Sequence, residues 1–287
     1  MNSNRREFLQ SAAVATAAIA AGTSSTQQAS AGEFSNRIRK AVKYHMIQED
    51  LSAEDKLKLL KDLGFDGVEP RTMLKSDQAD TVKAIAKASE KLEFPVHGIV
   101  HSSNPDIISA IDQAAFYGAT SVLHVVRDNG RVSYLKNYEG TQAIIRKAIE
   151  HAEKKKIHIL IENVWASFLI EPLTMKRYVD ELNSPYVQVY FDVGNVVRWG
   201  YPHQWIEVLG KRCEKLDIKE YNLEIAMNDG MRKAFDVQLG EGTVDWAKIR
   251  KELLKIDYKG WATAEVRGGD RKRLAEVASQ MDRVLDL

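Results

Sequence analysis

Five carboxylates lie at or near the ends of short apolar segments, where a charged side chain is unexpected. In the stretch KKKIHILIENVW (154–165), a run of β-branched residues ends on Glu162. Such a run is typical of a strand covered on both faces, where an unpaired carboxylate is costly. Four further acids occupy comparable positions: Glu69, Asp192, Asp217 and Glu265. Carboxylates that converge in a buried site repel one another, and a hard divalent cation with oxygen ligands relieves that repulsion.

The elements that must position these acids alternate between strand and helix. Eight apolar segments are predicted as strands: 41–47, 66–69, 94–100, 120–126, 157–163, 186–192, 213–220 and 260–266. Amphipathic segments lie between them, such as SAEDKLKLLKDLG (52–64), which begins on a Ser N-cap and ends on Gly64. This alternation predicts a single closed (β/α)8 TIM barrel over residues 38–287. An open doubly wound sheet is the alternative, but no Gly-rich phosphate fingerprint follows the first strand.

In a barrel, the C-terminal ends of the strands surround one site. Glu69, Glu162, Asp192 and Glu265 end predicted strands two, five, six and eight, and Asp217 lies within the seventh. Any one of these acids is more simply explained as a helix cap or as the partner of a nearby Lys or Arg. Four of them at successive barrel positions favour a metal site, with Glu162 as a ligand. The longest connection, 221–243 after the seventh strand, is expected to cover this face.

Five motifs are distinctive: IEN (161–163), FDVGNVVRWG (191–200), LGKRCEKLDIKEYN (209–222), LGEGTVDW (239–246) and AEVRGG (264–269). With these motifs the chain resembles the xylose-isomerase-like barrels grouped as sugar phosphate isomerases and epimerases, which include ketose 3-epimerases and hydroxypyruvate isomerase. In that family a Glu, an Asp, a His and a second Glu on strands five to eight bind one divalent metal, and the two glutamates form the acid/base pair. The resemblance implies that Glu162, Asp192 and Glu265 bind the metal and that Glu162 and Glu265 are catalytic.

Two positions depart from the family pattern. The seventh-strand H-x-K-D motif reads DIKE here, so Asp217 stands where His is expected. An all-carboxylate site favours Mn²⁺ or Mg²⁺ over Zn²⁺, and the alternative is a weakened or lost metal site. A His that often follows the sixth-strand Asp by three residues is Asn195 here. This change removes a usual substrate contact and leaves the identity of the substrate open.

Six residues are candidates for substrate contact: Glu69, His101, Trp165, Asn195, Lys219 and Arg267. The planar fork of Arg267 suits a carboxylate, a phosphate or a pair of hydroxyls, and its alternative role, like that of Lys219, is an internal ion pair. Trp165 suits either a sugar ring or the core. His101 is either a sugar contact or a polar loop residue, whereas His45 and His97 are expected within strands as buried or barrel-lining residues.

Residues 1–31 are predicted to be a twin-arginine export signal that precedes the barrel. Arg5 and Arg6 precede the apolar run SAAVATAAIAAG, and ASA (29–31) fits a cleavage site. The alternatives are an ordinary basic N-terminus and a membrane anchor, although the run is short for a bilayer span. The signal predicts a periplasmic or otherwise exported protein that meets the twin-arginine export machinery and is not stably inserted in the membrane.

Charge and cysteine content restrict the remaining function classes. The formal net charge is +1, so the chain lacks the strong basic field of a nucleic-acid-binding protein. Cys213 is the single cysteine, which excludes an intramolecular disulfide. Hydrophobic residues make up 44% of the sequence, enough for a sizeable core.

The predicted function is a divalent-metal-dependent isomerase or epimerase that acts on a small sugar or sugar derivative. Glu162 would remove a proton next to a carbonyl, and Glu265 would return one through an enediolate. One alternative is a lyase or hydrolase that uses the same chemistry on an oxidised (3-keto) sugar, and another is a non-catalytic sugar-binding barrel. DNA-repair endonuclease activity, found in a relative of the fold, is disfavoured by the near-neutral charge. The oligomeric state is left open, with a homo-oligomer among the possible partners.

Overall fold

Eight parallel strands form the central sheet of the structure, a computed structural model that describes residues 32–166 and 168–287. The strands are β1 (Ile38–Lys43), β2 (Gly67–Glu69), β3 (Ile99–Ser102), β4 (Ser121–His124), β5 (His158–Glu162), β6 (Val187–Asp192), β7 (Cys213–Ile218) and β8 (Gly260–Ala264). Their order in the sheet is β2-β1-β8-β7-β6-β5-β4-β3. Single parallel bridges join Val68 to Val96 and Arg71 to Val100, which brings the two edges together. The predicted (β/α)8 barrel is confirmed, and the predicted signal segment lies outside the described residues.

Helices connect the strands and cover the outside of the barrel. In the described part of the chain they are α1 (Ala53–Asp62), α2 (Ala79–Leu92), α3 (Ile107–Tyr117), α4 (Tyr134–Lys155), α5 (Pro172–Leu182), α6 (Val193–Val196), α7 (Pro202–Leu209), α8 (Leu223–Asn228), α9 (Trp246–Lys255) and α10 (Arg271–Leu285). Short 3-10 helices lie at Tyr44–Met46, Ser76–Gln78, Gly210–Arg212 and Lys233–Phe235. Ser52, Asp245 and Asp270 accept hydrogen bonds from backbone N–H groups in the first turns of α1, α9 and α10, which satisfies donors that a helix leaves unpaired.

Alternation along the strands separates an outer core from the barrel interior. On β5, Ile159 and Ile161 belong to the large core that includes the surrounding helices, whereas Leu160 belongs to a small inner cluster. On β6, Tyr190 lies in that inner cluster. Because successive side chains point to opposite faces, the next inward position after Leu160 is Glu162, and the next after Tyr190 is Asp192. The pleat therefore directs both acids into the barrel mouth.

The first strand begins earlier than predicted. β1 covers Ile38–Lys43, where the sequence pattern indicated 41–47, and the 3-10 helix Tyr44–Met46 follows directly. Charged residues concealed its start. The Arg39 guanidinium lies 4.2 Å from the centre of the Trp261 ring, and Lys40 Nζ is 2.5 Å from Asp282 Oδ1. Both charged side chains therefore have partners, which allows these residues to be part of a strand.

The remaining differences concern element ends. Glu265, placed at the end of the predicted eighth strand, lies one residue beyond β8. Across residues 32–166 and 168–287, the helices fall short of the length and apolarity needed to span a membrane.

Candidate metal and active site

Four carboxylates meet at the C-terminal ends of β5 to β8. Glu162 and Asp192 are the last residues of their strands, Asp217 is the second-last residue of β7, and Glu265 follows β8. One oxygen from each can be chosen so that all four lie within 4.8 Å of one another. The structure thus brings together the four residues that the sequence analysis proposed as metal ligands, Asp217 included.

Two lysine ammonium groups lie among these acids. Lys219 Nζ is 2.8 Å from Asp192 Oδ2 and 3.2 Å from Glu265 Oε2. Lys43 Nζ is 2.5 Å from Glu69 Oε2 and 2.8 Å from Asp217 Oδ1. Each lysine therefore links two carboxylates from different strands.

Close packing of the backbone allows Lys219 to reach its partners. A Cβ atom on Gly194 would lie only 2.8 Å from Lys219 Cβ, so the Gly in the FDVGN motif leaves room for the lysine. Asn163 fixes the neighbouring Asp192 through two backbone hydrogen bonds. Its Oδ1 accepts from the Asp192 N–H, and its Nδ2 donates to the Asp192 carbonyl, both at 2.8 Å.

The two candidate catalytic glutamates have opposite electrostatic environments. Burial, reinforced by the charges of Glu265 and Asp192, raises the pKa of Glu162 to about 8. Burial also raises the pKa of Glu265, but the Lys219 and Lys43 ammonium groups outweigh it and bring that pKa down to about 2. In the site without a cation, Glu162 therefore favours its protonated form at neutral pH, whereas Glu265 is ionised.

The charge balance of the barrel interior fits a divalent cation. Five carboxylates lie there (Glu69, Glu162, Asp192, Asp217 and Glu265), together with three lysines (Lys43, Lys215 and Lys219). With every group ionised, two negative charges remain unbalanced. The raised pKa of Glu162 means that a proton relieves part of this repulsion in the site without a cation, and a divalent cation would take the place of that proton. Burial lowers the pKa of Lys215 to about 7, so the lysines supply at most three positive charges.

The donor atoms also fit such an ion. Asp192 Oδ2 and Asp217 Oδ1 are fully buried and accept no aligned hydrogen bond, although each lies near an ammonium group. Oxygen donors of this kind suit hard cations such as Mg²⁺ and Mn²⁺. Glu162, Asp192, Asp217 and Glu265 are therefore the residues that would hold a metal.

A cavity of about 720 Å³ opens directly above the carboxylates. Among the predicted substrate contacts, five line this cavity: His101, Trp165, Asn195, Lys219 and Arg267. Glu69 does not. It is fully buried beneath the site, where it pairs with Lys43 and accepts a hydrogen bond from the Tyr190 hydroxyl at 3.1 Å. Its position suits orientation of Lys43 rather than contact with a bound molecule.

Asn195 and Trp165 form one hydrogen-bonded unit beside Glu162. Asn195 Nδ2 lies 3.4 Å from Glu162 Oε1 and 3.1 Å from the Asn163 carbonyl, to both of which it donates. Trp165 Nε1 donates to the Asn195 carbonyl at 3.0 Å. Asn195 therefore supports the candidate base directly, and the Trp165 ring forms part of the cavity wall.

The long connection after β7 reaches over the cavity, as its length predicts. Phe235 and Asp236 from this segment line the cavity. Buried Glu220 anchors its far end by accepting hydrogen bonds from the Gly240 and Val244 N–H groups, at 2.8 and 3.1 Å. The last residue of the DIKE motif thus holds the LGEGTVDW turn in place.

Sequence reasoning missed several residues of the site. Lys43, which neutralises two buried acids, gave no signal because it ends a strand whose start is hidden by charge. His45 was expected within a strand, but it lies in the 3-10 helix after β1 and lines the cavity with Arg71 and Arg127. His45, Arg71 and Arg127 each follow the end of a strand, and this position is the one sequence feature that could have indicated that they line the cavity.

The fold and this acidic site define the class of protein. Residues 57–285 match the family described as xylose isomerase-like TIM barrel, and the chain belongs to that family. The resemblance drawn from the sequence motifs is confirmed.

Individual relatives are more distant. The Escherichia coli (strain K12) protein SgbU, named provisionally as an L-ribulose-5-phosphate 3-epimerase, is 28% identical over 243 residues, which are 75% of this chain and 83% of that protein. The structure of the E. coli 3-keto-D-glucoside 4-epimerase YcjR superposes with a TM-score of 0.70 at 13% identity, covering 86% of this chain and 99% of that one. The IOLI protein with a bound zinc atom gives the same TM-score and identity over 86% and 98%. The two structures are similar to this chain in fold.

Proposed function

We propose that this protein is a sugar epimerase or isomerase that depends on a divalent metal, Mn²⁺ or Mg²⁺. The observation that carries the proposal is the convergence of four carboxylates at one end of the barrel, where Glu162 and Glu265 line the cavity. Two of them are glutamates whose surroundings push their pKa values apart, to about 8 for Glu162 and about 2 for Glu265. Such a pair suits proton removal and proton return next to a carbonyl group.

Glu162, ionised once a cation occupies the site, would accept the proton from the carbon next to the sugar carbonyl. Glu265 is ionised in the free site, so it would first take up a proton from water and then supply it to the resulting enediolate. Asn195 orients Glu162 through its hydrogen bond, and Lys219 fixes Glu265 through their ion pair. A cation held by Glu162, Asp192, Asp217 and Glu265 would supply the positive charge that favours ionised Glu162 and would polarise the carbonyl and hydroxyl of the sugar.

The similar proteins support the epimerase class. SgbU and the 3-keto-D-glucoside 4-epimerase are both named as epimerases of sugar derivatives, and the IOLI protein binds zinc in a similar barrel. An all-carboxylate donor set nonetheless favours Mn²⁺ or Mg²⁺ in this chain, because zinc prefers nitrogen and sulfur ligands.

The test combines metal analysis with exchange of carbon-bound protons. Purified protein should contain about one divalent ion per chain, and the chelated form should lose exchange. In D₂O, a panel of ketoses and 3-keto sugars should show deuterium incorporation next to the carbonyl. A ligand that stabilises the metal-loaded protein without exchange would instead support the sugar-binding barrel, and elimination products would support the lyase.

We further propose export by the twin-arginine route. The support is the sequence of residues 1–31, with its paired arginines, apolar run and ASA segment.

A further inference from the structure

Basic side chains line the side of the cavity away from β5, β6 and β7. Each comes from the C-terminal end of a different strand, and those strands are neighbours around the barrel: Arg267 follows β8, His45 follows β1, Arg71 follows β2, His101 lies in β3, and Arg127 follows β4. The four carboxylates occupy β5 to β8. The cavity is thus divided into an acidic side, where the chemistry would occur, and a basic wall.

The three arginines of this wall have no internal partner in the part of the chain that the structure describes. No carboxylate lies within 4.0 Å of their guanidinium groups, whereas Lys43 and Lys219 each contact two. All three are exposed to the cavity. The fold therefore gives Arg71, Arg127 and Arg267 no evident structural task.

His101 adds an independent indication. Its side chain is 3% exposed and lines the cavity, and its Nδ1 lies 3.2 Å from Thr72 Oγ1. Its Nε2 is buried without a hydrogen-bond partner. A buried polar atom is costly unless something pairs with it, so a polar group of a bound molecule is the expected partner.

We propose that the substrate carries an anionic group, a phosphate or a carboxylate, at the end remote from its carbonyl, and that Arg71, Arg127 and Arg267 bind it. Guanidinium forks match the oxygens of both groups and form charge-assisted hydrogen bonds with them. Asp236 is the acid on the cavity wall besides Glu162 and Glu265, and it comes from the opposite side, after β7. The inference rests on the proposed function, since it assumes that the sugar carbonyl lies at the carboxylates.

Three ketoses that differ only at C6 test this assignment: D-fructose, D-fructose 6-phosphate and D-fructuronate. Calorimetry on the Mn²⁺-loaded protein should show at least about 10-fold tighter binding of one or both anionic ketoses than of D-fructose, the gain expected of a charge-assisted contact. The stronger of the two identifies the group as phosphate or carboxylate. Equal affinities, or no binding of either anionic ketose at millimolar concentration, would overturn the proposal.

Arginine variants locate the group. Arg71→Gln, Arg127→Gln and Arg267→Gln should each reduce the preference for the anionic ketose over D-fructose about 10-fold. Arg131→Gln is the matched control, because Arg131 lies in the same exposed loop as Arg127 but does not line the cavity. Loss of the anionic preference in the control, or its retention in all three cavity variants, contradicts the assignment.

Proton exchange separates this inference from the proposed function. If the basic wall does not select anions but the enzyme is an epimerase, neutral ketoses of the panel exchange as well as anionic ones. If the epimerase proposal fails, anionic ketoses still bind through the arginines, and none of them exchanges a proton.

Discussion

Replacement of Lys43 by Met should destabilise the barrel strongly at neutral pH. Lys43 is 1% exposed, and its ammonium is the closest cation to both Glu69 and Asp217. Burial lowers the pKa of Lys43, but the charges of Asp217, Glu69 and Glu265 outweigh it and raise that pKa above its usual range. The ammonium also lies 4.7 Å from the centre of the Tyr190 ring. Met conserves the length of the side chain but leaves two buried carboxylates without this partner.

Removal of one partner from a buried ion pair typically costs about 3–5 kcal/mol. With a urea m-value of about 3 kcal/mol/M for a chain of this size, the midpoint should fall by about 1–2 M. The unpaired carboxylates can take up protons as the pH falls, so the loss should be smaller at pH 5 than at pH 8. Mn²⁺ should restore more stability to the variant than to the wild type, because the variant has one more unbalanced negative charge.

Urea denaturation followed by circular dichroism, at two pH values and with and without Mn²⁺, measures these effects. Lys58→Met is the matched control, since Lys58 forms an exposed pair with Asp62 on α1 and should change little. If Lys43→Met costs less than about 1 kcal/mol at pH 8, the buried carboxylates are not balanced by Lys43, and the charge count that supports a divalent cation is wrong.

Three further perturbations test the site, the pH response and the export signal. Glu162→Gln should lower turnover by about 10²–10⁴-fold while ligand affinity falls far less. Glu265→Gln should retain more deuterium exchange than turnover, because exchange needs only the first proton removal. An equal loss of exchange and turnover in Glu265→Gln would contradict the assigned order of proton transfer. Burial and the nearby His101 lower the pKa of His124 from 6.5 to about 4. Because the pKa of His124 is lower in the folded state than in the unfolded state, its contribution to stability is complete above pH 6.5 and is lost as the pH falls towards 4. The loss amounts to at most about 3 kcal/mol. In urea titrations at several pH values, His124→Gln should therefore lose less stability than the wild type between pH 6.5 and 4. Replacement of Arg5 and Arg6 by Lys should block export without a change in folding, as cell fractionation would show, and continued export would favour the general secretory route or an anchor.

The sequence by itself determined the barrel and the positions of its acids. Alternation of apolar and polar residues along β5 and β6 is a local property, because the pleat directs every second side chain to the same face. It therefore placed Glu162 and Asp192 in the barrel interior correctly. The same alternation assigned one acid to each of strands five to eight, and the motifs shared with the family contain these acids.

The tertiary structure decided which charges meet. Lys43 and Asp217 are 174 positions apart in the chain, and their contact exists only because the sheet brings β1 and β7 to the two sides of β8. The same closure makes Lys219, which also lines the cavity, the partner of Asp192 and Glu265, and it buries Glu69 below the cavity.

The basic wall has the same origin. Arg267 was predicted as a substrate contact from the sequence, but Arg71 and Arg127 are dispersed loop residues, and nothing in their immediate neighbours distinguishes them from surface arginines. Barrel closure places them around one cavity and leaves their guanidinium groups without acidic partners in the described residues. Local patterns specify which face a side chain occupies, whereas electrostatic partners depend on long-range strand pairing that the sequence pattern does not encode.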